Sequence, residues 1–269
     1  MSVLRLTTGL SYLLAALVTT ASAAGLFVER VYALEQPIWA AQAAGQDLVN
    51  IAVAVPALAA SAYLARRGSM RAWLVWLGVL IYLVYSYLLY AFFVHFGPLF
   101  PVYLAVLSLS FYLCLSAVLT ADAARVAAAF SERAPVALTS SYMLVLAAVF
   151  VALEASAIGG ALARGSIPEG AAVTGLPVDP VHVLDVALLF PGMALAALLL
   201  RRGRPLGYLL AGPLLTHMAI LGVAVIAMML MMASRGFPLA PAPMAVGVLS
   251  TAASLFVATR YLAGLARDT

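Results

Sequence analysis

Five ionisable side chains stand near the ends of long apolar runs: Asp47, His95, Glu154, His182 and Asp185. Carboxyl and imidazole groups exchange protons near neutral pH, bind cations and ligate metals. His182 and Asp185 are three residues apart and share one helical face with Asp179. Two imidazoles with a carboxylate suit zinc or non-haem iron. His182, Asp185 and His95 are therefore the metal candidates, although the HExxH signature is absent. No cofactor other than a metal ion suggests itself. Glu154 has no neighbour in its own run to neutralise it. Gln46, Asn50 (on the Asp47 face), Tyr90 and Ser156 carry the polar groups that would complete a pocket around these residues.

Each of these residues also has a plainer reading. Asp179 precedes Pro180 as an N-cap precedes a first-turn proline. Asp47 reads as a wetted helix-start residue, His95 as an interfacial one, and His182 and Asp185 as groups solvated among lipid headgroups. His217, in the middle of a run, reads as a neutral hydrogen-bonding residue between helices. Tyr82, Ser86, Tyr90 and Phe93 form a stripe at helical spacing, normally a packing feature, yet hydroxyls in lipid need partners. Cys114 stands alone and reads as packing.

The elements that must position these groups are membrane helices. The chain is 66% hydrophobic and 9% charged over 269 residues, against roughly 25% charged in a soluble domain. Its surface must face mostly lipid. All fourteen basic residues are arginines, scattered between apolar runs rather than gathered on one face, which excludes a nucleic-acid surface. Eight runs approach the roughly twenty residues that span hydrocarbon: 4–26, 47–64, 72–96, 100–119, 138–162, 180–200, 205–232 and 244–263. The first, with its Ala21-Ser22-Ala23 triplet, is either a cleavable signal peptide or, the favoured reading, an uncleaved helix. Residues 27–46 and 163–178 read as irregular outer loops. Pro56, Pro191 and Pro213 should bend their helices or expose carbonyls. Each half holds a proline-interrupted helix, a likeness too slight to claim an inverted repeat.

Arginine fixes the orientation. Arg5, Arg66, Arg67, Arg71, Arg125, Arg133, Arg201, Arg202, Arg204, Arg260 and Arg267 fall on one side, and only Arg30, Arg164 and Arg235 on the other. Basic residues stay cytoplasmic, so both termini are expected inside and Asp47, His95, Glu154, His182 and Asp185 toward the outer face. An isolated charge near mid-membrane costs about 2.5–3.5 kcal/mol, so several at similar depth should turn toward one another.

The segment from Asp179 to Leu215, DPVHVLD…P…LLLRRGRPLGYLLAGPLL, resembles one in uncharacterised polytopic bacterial integral membrane proteins. The resemblance implies an inner-membrane placement and no assigned activity. The expected architecture is an all-α, single-domain transmembrane bundle embedded in the lipid bilayer. Its expected role is binding or transport of a small solute, ion or lipid headgroup in an outward-facing polar pocket. An intramembrane enzyme on a lipid-linked substrate and a structural subunit of a membrane complex are the alternatives.

Overall fold

The computed structural model describes residues 2–266, with side chains from residue 6 onward; Arg267 and the Arg5 side chain, counted above, lie outside what is described. The described chain is all-α, and eight of its helices are long and apolar enough to cross a membrane. They are α1 (Ser2–Phe27), α2 (Pro37–Arg66), α3 (Met70–Phe93), α4 (Phe100–Thr120), α5 (Val136–Arg164), α6 (Pro180–Arg201), α7 (Pro205–Ser234) and α8 (Pro241–Ala263). The protein is a multi-pass membrane protein.

Local chemistry sets the ends. Proline occupies the first turn of α2, α4, α6, α7 and α8, where its missing N–H costs nothing. The Ser69 hydroxyl caps α3 at Ala72 N (3.3 Å), and the Asp179 carboxyl caps α6 at Val181 N (3.0 Å). Gly68 and Gly203 end α2 and α6 with positive φ, which a side chain would resist.

Two connections differ from expectation. The stretch read as an outer loop up to Gln46 is already helical from Pro37, because Pro37 opens a run of good helix formers, AAQAAGQ. Asp47 therefore lies ten residues inside α2 instead of at its rim. Within the loop before α6, Glu169–Thr174 forms a short helix.

Both α2 and α6 contain one widened, π-helical turn, Asn50–Ala54 and Asp185–Leu189. Each ends two residues before a proline, Pro56 or Pro191. A proline ring clashes with the carbonyl four residues earlier and offers it no N–H. Inserting one residue into the turn relieves both problems. By contrast, α7 runs through Pro213 without interruption.

These parallels belong to a longer one. Asn50 and Asp185, Pro56 and Pro191, Gly68 and Gly203, and Phe130 and Leu265 are related by one offset of 135 residues (185 − 50, 191 − 56, 203 − 68, 265 − 130). In each half the four helices pack as a ring, first on second, second on third, third on fourth and fourth on first. Each ring has its own core, one around Leu58, Leu77 and Val106, the other around Met143, Phe190 and Met193. Phe130 and Leu265 pair with each other as an antiparallel bridge, Ser131 N donating to Gly264 O (2.9 Å) and Ala266 N to Ala129 O (2.8 Å). Four crossings per half return the chain to its starting side, so the halves are parallel repeats and not inverted ones.

The halves meet where α7 packs on α2 and α3. Small residues allow this: a Cβ on Gly78 of α3 would stand 2.6 Å from Pro213 O, and one on Gly45 of α2 would stand 2.5 Å from Met228 Cα. The central helix α3 has 67% of its apolar window buried, against 22–39% for the others.

Candidate functional site

The polar residues of the crossings fall into two groups, one per half. In the first, Asp47 is 1% exposed. Its Oδ2 accepts from Tyr32 Oη (2.6 Å) and its Oδ1 from Tyr90 Oη (2.9 Å). Three residues on, at the start of the widened turn, Asn50 Oδ1 accepts from Tyr82 Oη (3.0 Å) and its Nδ2 donates to Ser22 Oγ (3.1 Å). Gln46 Nε2 donates to Tyr82 Oη (2.7 Å) and Ser86 Oγ (2.8 Å). The stripe Tyr82, Ser86 and Tyr90 thus lies on the α3 face that serves α2. Tyr32, in the connection after α1, is buried. Burial, and then the adjacent Asp47, push its hydroxyl well above the usual tyrosine range, so it stays protonated and donates. A side chain on Gly25 would overlap the Asp47 carboxyl group, so that glycine makes the room for it. This group is closed and almost fully paired among its own members, which is the arrangement of a structural network.

The second group lines a cavity of about 520 Å³. Helices α5, α6, α7 and α8 form most of its wall, with Tyr85 and Leu89 of α3 and Gln46 of α2 closing one side. The wall is largely apolar; Phe150 and Phe190 stack within it at 5.3 Å between ring centres. Glu154 Oε2 lies 2.6 Å from His182 Nε2, and His182 Nδ1 lies 3.5 Å from Asp179 Oδ2. The first contact sets a carboxyl oxygen against an imidazole nitrogen without an aligned hydrogen bond, for Glu154 Oε2 has no hydrogen-bond partner, nor has His182 Nδ1. Asp185 opens the widened turn of α6 and accepts from Tyr85 Oη (2.8 Å). Gln46 Oε1 is also buried and without a partner, its amide nitrogen being committed to Tyr82 and Ser86. Two orphaned acceptor oxygens therefore stand at one apolar chamber.

The expected site residues are thus divided. Glu154, His182 and Asp185 come together; Asp47, Asn50 and Tyr90 form the separate closed group; Gln46 reaches both. His95 stands apart. Its side chain is 59% exposed, its Nδ1 lies 3.1 Å from Glu35 Oε2, and its backbone N donates to Glu35 Oε1 (2.7 Å). Ser156 is exposed on α5 and joins neither group. The ligand set His182, Asp185 and His95 is therefore not assembled. Among the described residues no three His, Cys, Asp or Glu side chains are grouped to hold a metal ion. Tyr85, which lies outside the stripe of Tyr82, Ser86 and Tyr90, holds Asp185. Its one signal was its place on α3, one turn from Tyr82.

Comparison with protein-family models, curated proteins and solved structures finds no match to this chain.

Proposed function

We propose that the protein binds, and carries across the membrane, small amphipathic molecules whose donor-bearing or cationic end meets Glu154, Asp185 and Gln46. One observation carries this reading: two buried oxygens, Gln46 Oε1 and Glu154 Oε2, make no aligned hydrogen bond at the edge of an otherwise apolar chamber, the second meeting only the His182 ring at 2.6 Å. A buried unpaired acceptor costs about 1–3 kcal/mol, and an ammonium or amine group would relieve both. No arginine lines the chamber, so the groups that a ligand must displace from the acids are His182 at Glu154 and the Tyr85 hydroxyl at Asp185. The remaining surface, from Leu153, Met218, Val225 and Val246 among others, suits a hydrocarbon body.

The arginine bias supports placement in a bacterial inner membrane with both termini in the cytoplasm. On that placement the chamber sits in the outer half of the bilayer. The parallel repeat supports transport over static binding, since carriers of this build hold substrate near the repeat interface, and Gln46 reaches the chamber from the other half.

The test is equilibrium binding of dodecylammonium to the purified protein, with dodecanol as the neutral control. The ammonium should bind at least tenfold more tightly, and Glu154→Gln should remove that preference while the protein stays folded. Equal binding of the two probes, or an unaltered preference in Glu154→Gln, would overturn the reading.

A further inference from the structure

A second cavity, about 290 Å³, lies between α3, α6 and α7. Its wall is aliphatic, with Val84 and Leu88 from α3, Leu188 from α6 and Leu214 from α7, and Gly192 leaves a gap in α6. Leu188 is 63% exposed on the face of the bundle that meets lipid, so the cleft opens sideways into hydrocarbon. Two polar side chains reach it, Tyr85 and His217. The Tyr85 hydroxyl is already committed to Asp185. His217 is fully buried, and neither ring nitrogen has a partner. Only ring contacts surround it, with Tyr82 at 6.4 Å and Tyr85 at 5.5 Å between centres.

The repeat sharpens the anomaly. Tyr82 occupies the position equivalent to His217 in the first half (217 − 82 is the same offset of 135), and its hydroxyl is bonded to Gln46 and Asn50. The same place is satisfied in one half and empty in the other. A neutral imidazole presents one N–H donor and one acceptor lone pair, and hydrocarbon offers neither a partner. Water is a poor occupant, because a buried water needs two to four polar partners and this cleft has His217 and an already engaged tyrosine.

We propose that His217 is the head-group site for a hydrocarbon-soluble ligand that offers one hydroxyl or carbonyl oxygen to the imidazole from an otherwise apolar body, of the prenol or quinone class. The ligand enters laterally from the bilayer past Leu188. Its oxygen bonds the imidazole, and its body lies along the leucines of α3, α6 and α7. This site is separate from the chamber that holds Glu154, and the two share only the Tyr85 wall.

Three histidines make the test direct. The full chain is labelled with ¹⁵N-histidine in phosphatidylcholine nanodiscs, and His217→Phe identifies the His217 signals. Farnesol and decylbenzoquinone are then titrated separately. The expected result is a saturable shift of the His217 imidazole with at least one probe, the responsive probe naming the source, while His95 and His182 stay unmoved. Gly192→Leu should weaken that binding at least tenfold. A Cβ there meets nothing within 4 Å and replaces a glycine in a helix, so folding is spared. Leu188→Trp, at the mouth, gives a second block. No shift with either probe, equal shifts of all three histidines, or undiminished binding in both blocked variants would overturn the proposal. Dodecylammonium binding at Glu154 is read independently, so the two sites fail separately.

Discussion

Asp47 shows how much one carboxyl group organises when water cannot reach it. Two tyrosine hydroxyls from different parts of the chain, Tyr32 and Tyr90, converge on its two oxygens. Removing the acceptor strands both donors, at about 1–3 kcal/mol each. Asp47→Ala should therefore destabilise the protein by about 2–5 kcal/mol in reversible unfolding from mixed micelles, and Asp47→Asn, which keeps one acceptor oxygen, by clearly less. A cycle with Tyr32→Phe should show the two substitutions to be strongly non-additive; simple additivity would mean that Tyr32 and Asp47 do not act together. At Glu154 and His182 the same removal should act on ligand binding more than on stability, because those atoms are only partly committed to the protein.

At the scale of elements, much was legible and for identifiable reasons. Asp179-Pro180 is a local signal and marks a helix end where expected; Ser69 and the arginine-glycine turns at Gly68 and Gly203 mark ends of the same kind. The start of α2 was not legible from hydropathy, since AAQAAGQ is too weakly apolar to look like a crossing yet excellent helix-forming sequence; misplacing it put Asp47 at a wet rim. The grouping of Glu154 with His182 and Asp185 followed from depth alone, whereas the partnership of Tyr85 with Asp185 depends on which way α3 is rotated, and no spacing reports that. The widened turns are likewise invisible to periodicity, although Asn50 and Asp185 each precede a proline by six residues. Their cause gives a prediction. Pro191→Ala restores an N–H and removes the clash, so α6 can close into a regular helix. Stability should be unchanged or higher, while Asp185 at the start of the turn and His182 before it rotate away from Tyr85 and Glu154. Dodecylammonium affinity should fall at least tenfold with no loss of unfolding resistance. Retained affinity would show that the proline does not set the chamber.

For the whole molecule, the informative fact is that two four-helix rings, alike in helix order and in the placing of their widened turns and prolines, differ in their polar interiors. The first is sealed by tyrosines around Asp47 and Asn50; the second keeps Glu154, His182 and His217 short of partners. Two four-helix rings that run the same way through the membrane give the molecule a defined sidedness. Every helix end near the chamber lies opposite the Arg66-Arg67, Arg125-Arg133 and Arg201-Arg202-Arg204 connections in the alternation of crossings. Sidedness therefore decides from which compartment a ligand first arrives. With Cys114 replaced by alanine, single cysteines at Ser166 and Ser131, both exposed in connections at opposite ends, separate the alternatives. Ser166→Cys in intact cells should react with a membrane-impermeant maleimide, and Ser131→Cys only after the membrane is opened. The reverse pattern would place the arginines outside and open the chamber to the cytoplasm. Glu154 and Asp185 would then face a ligand arriving from the cytoplasmic side, with the proposed binding chemistry itself unaltered.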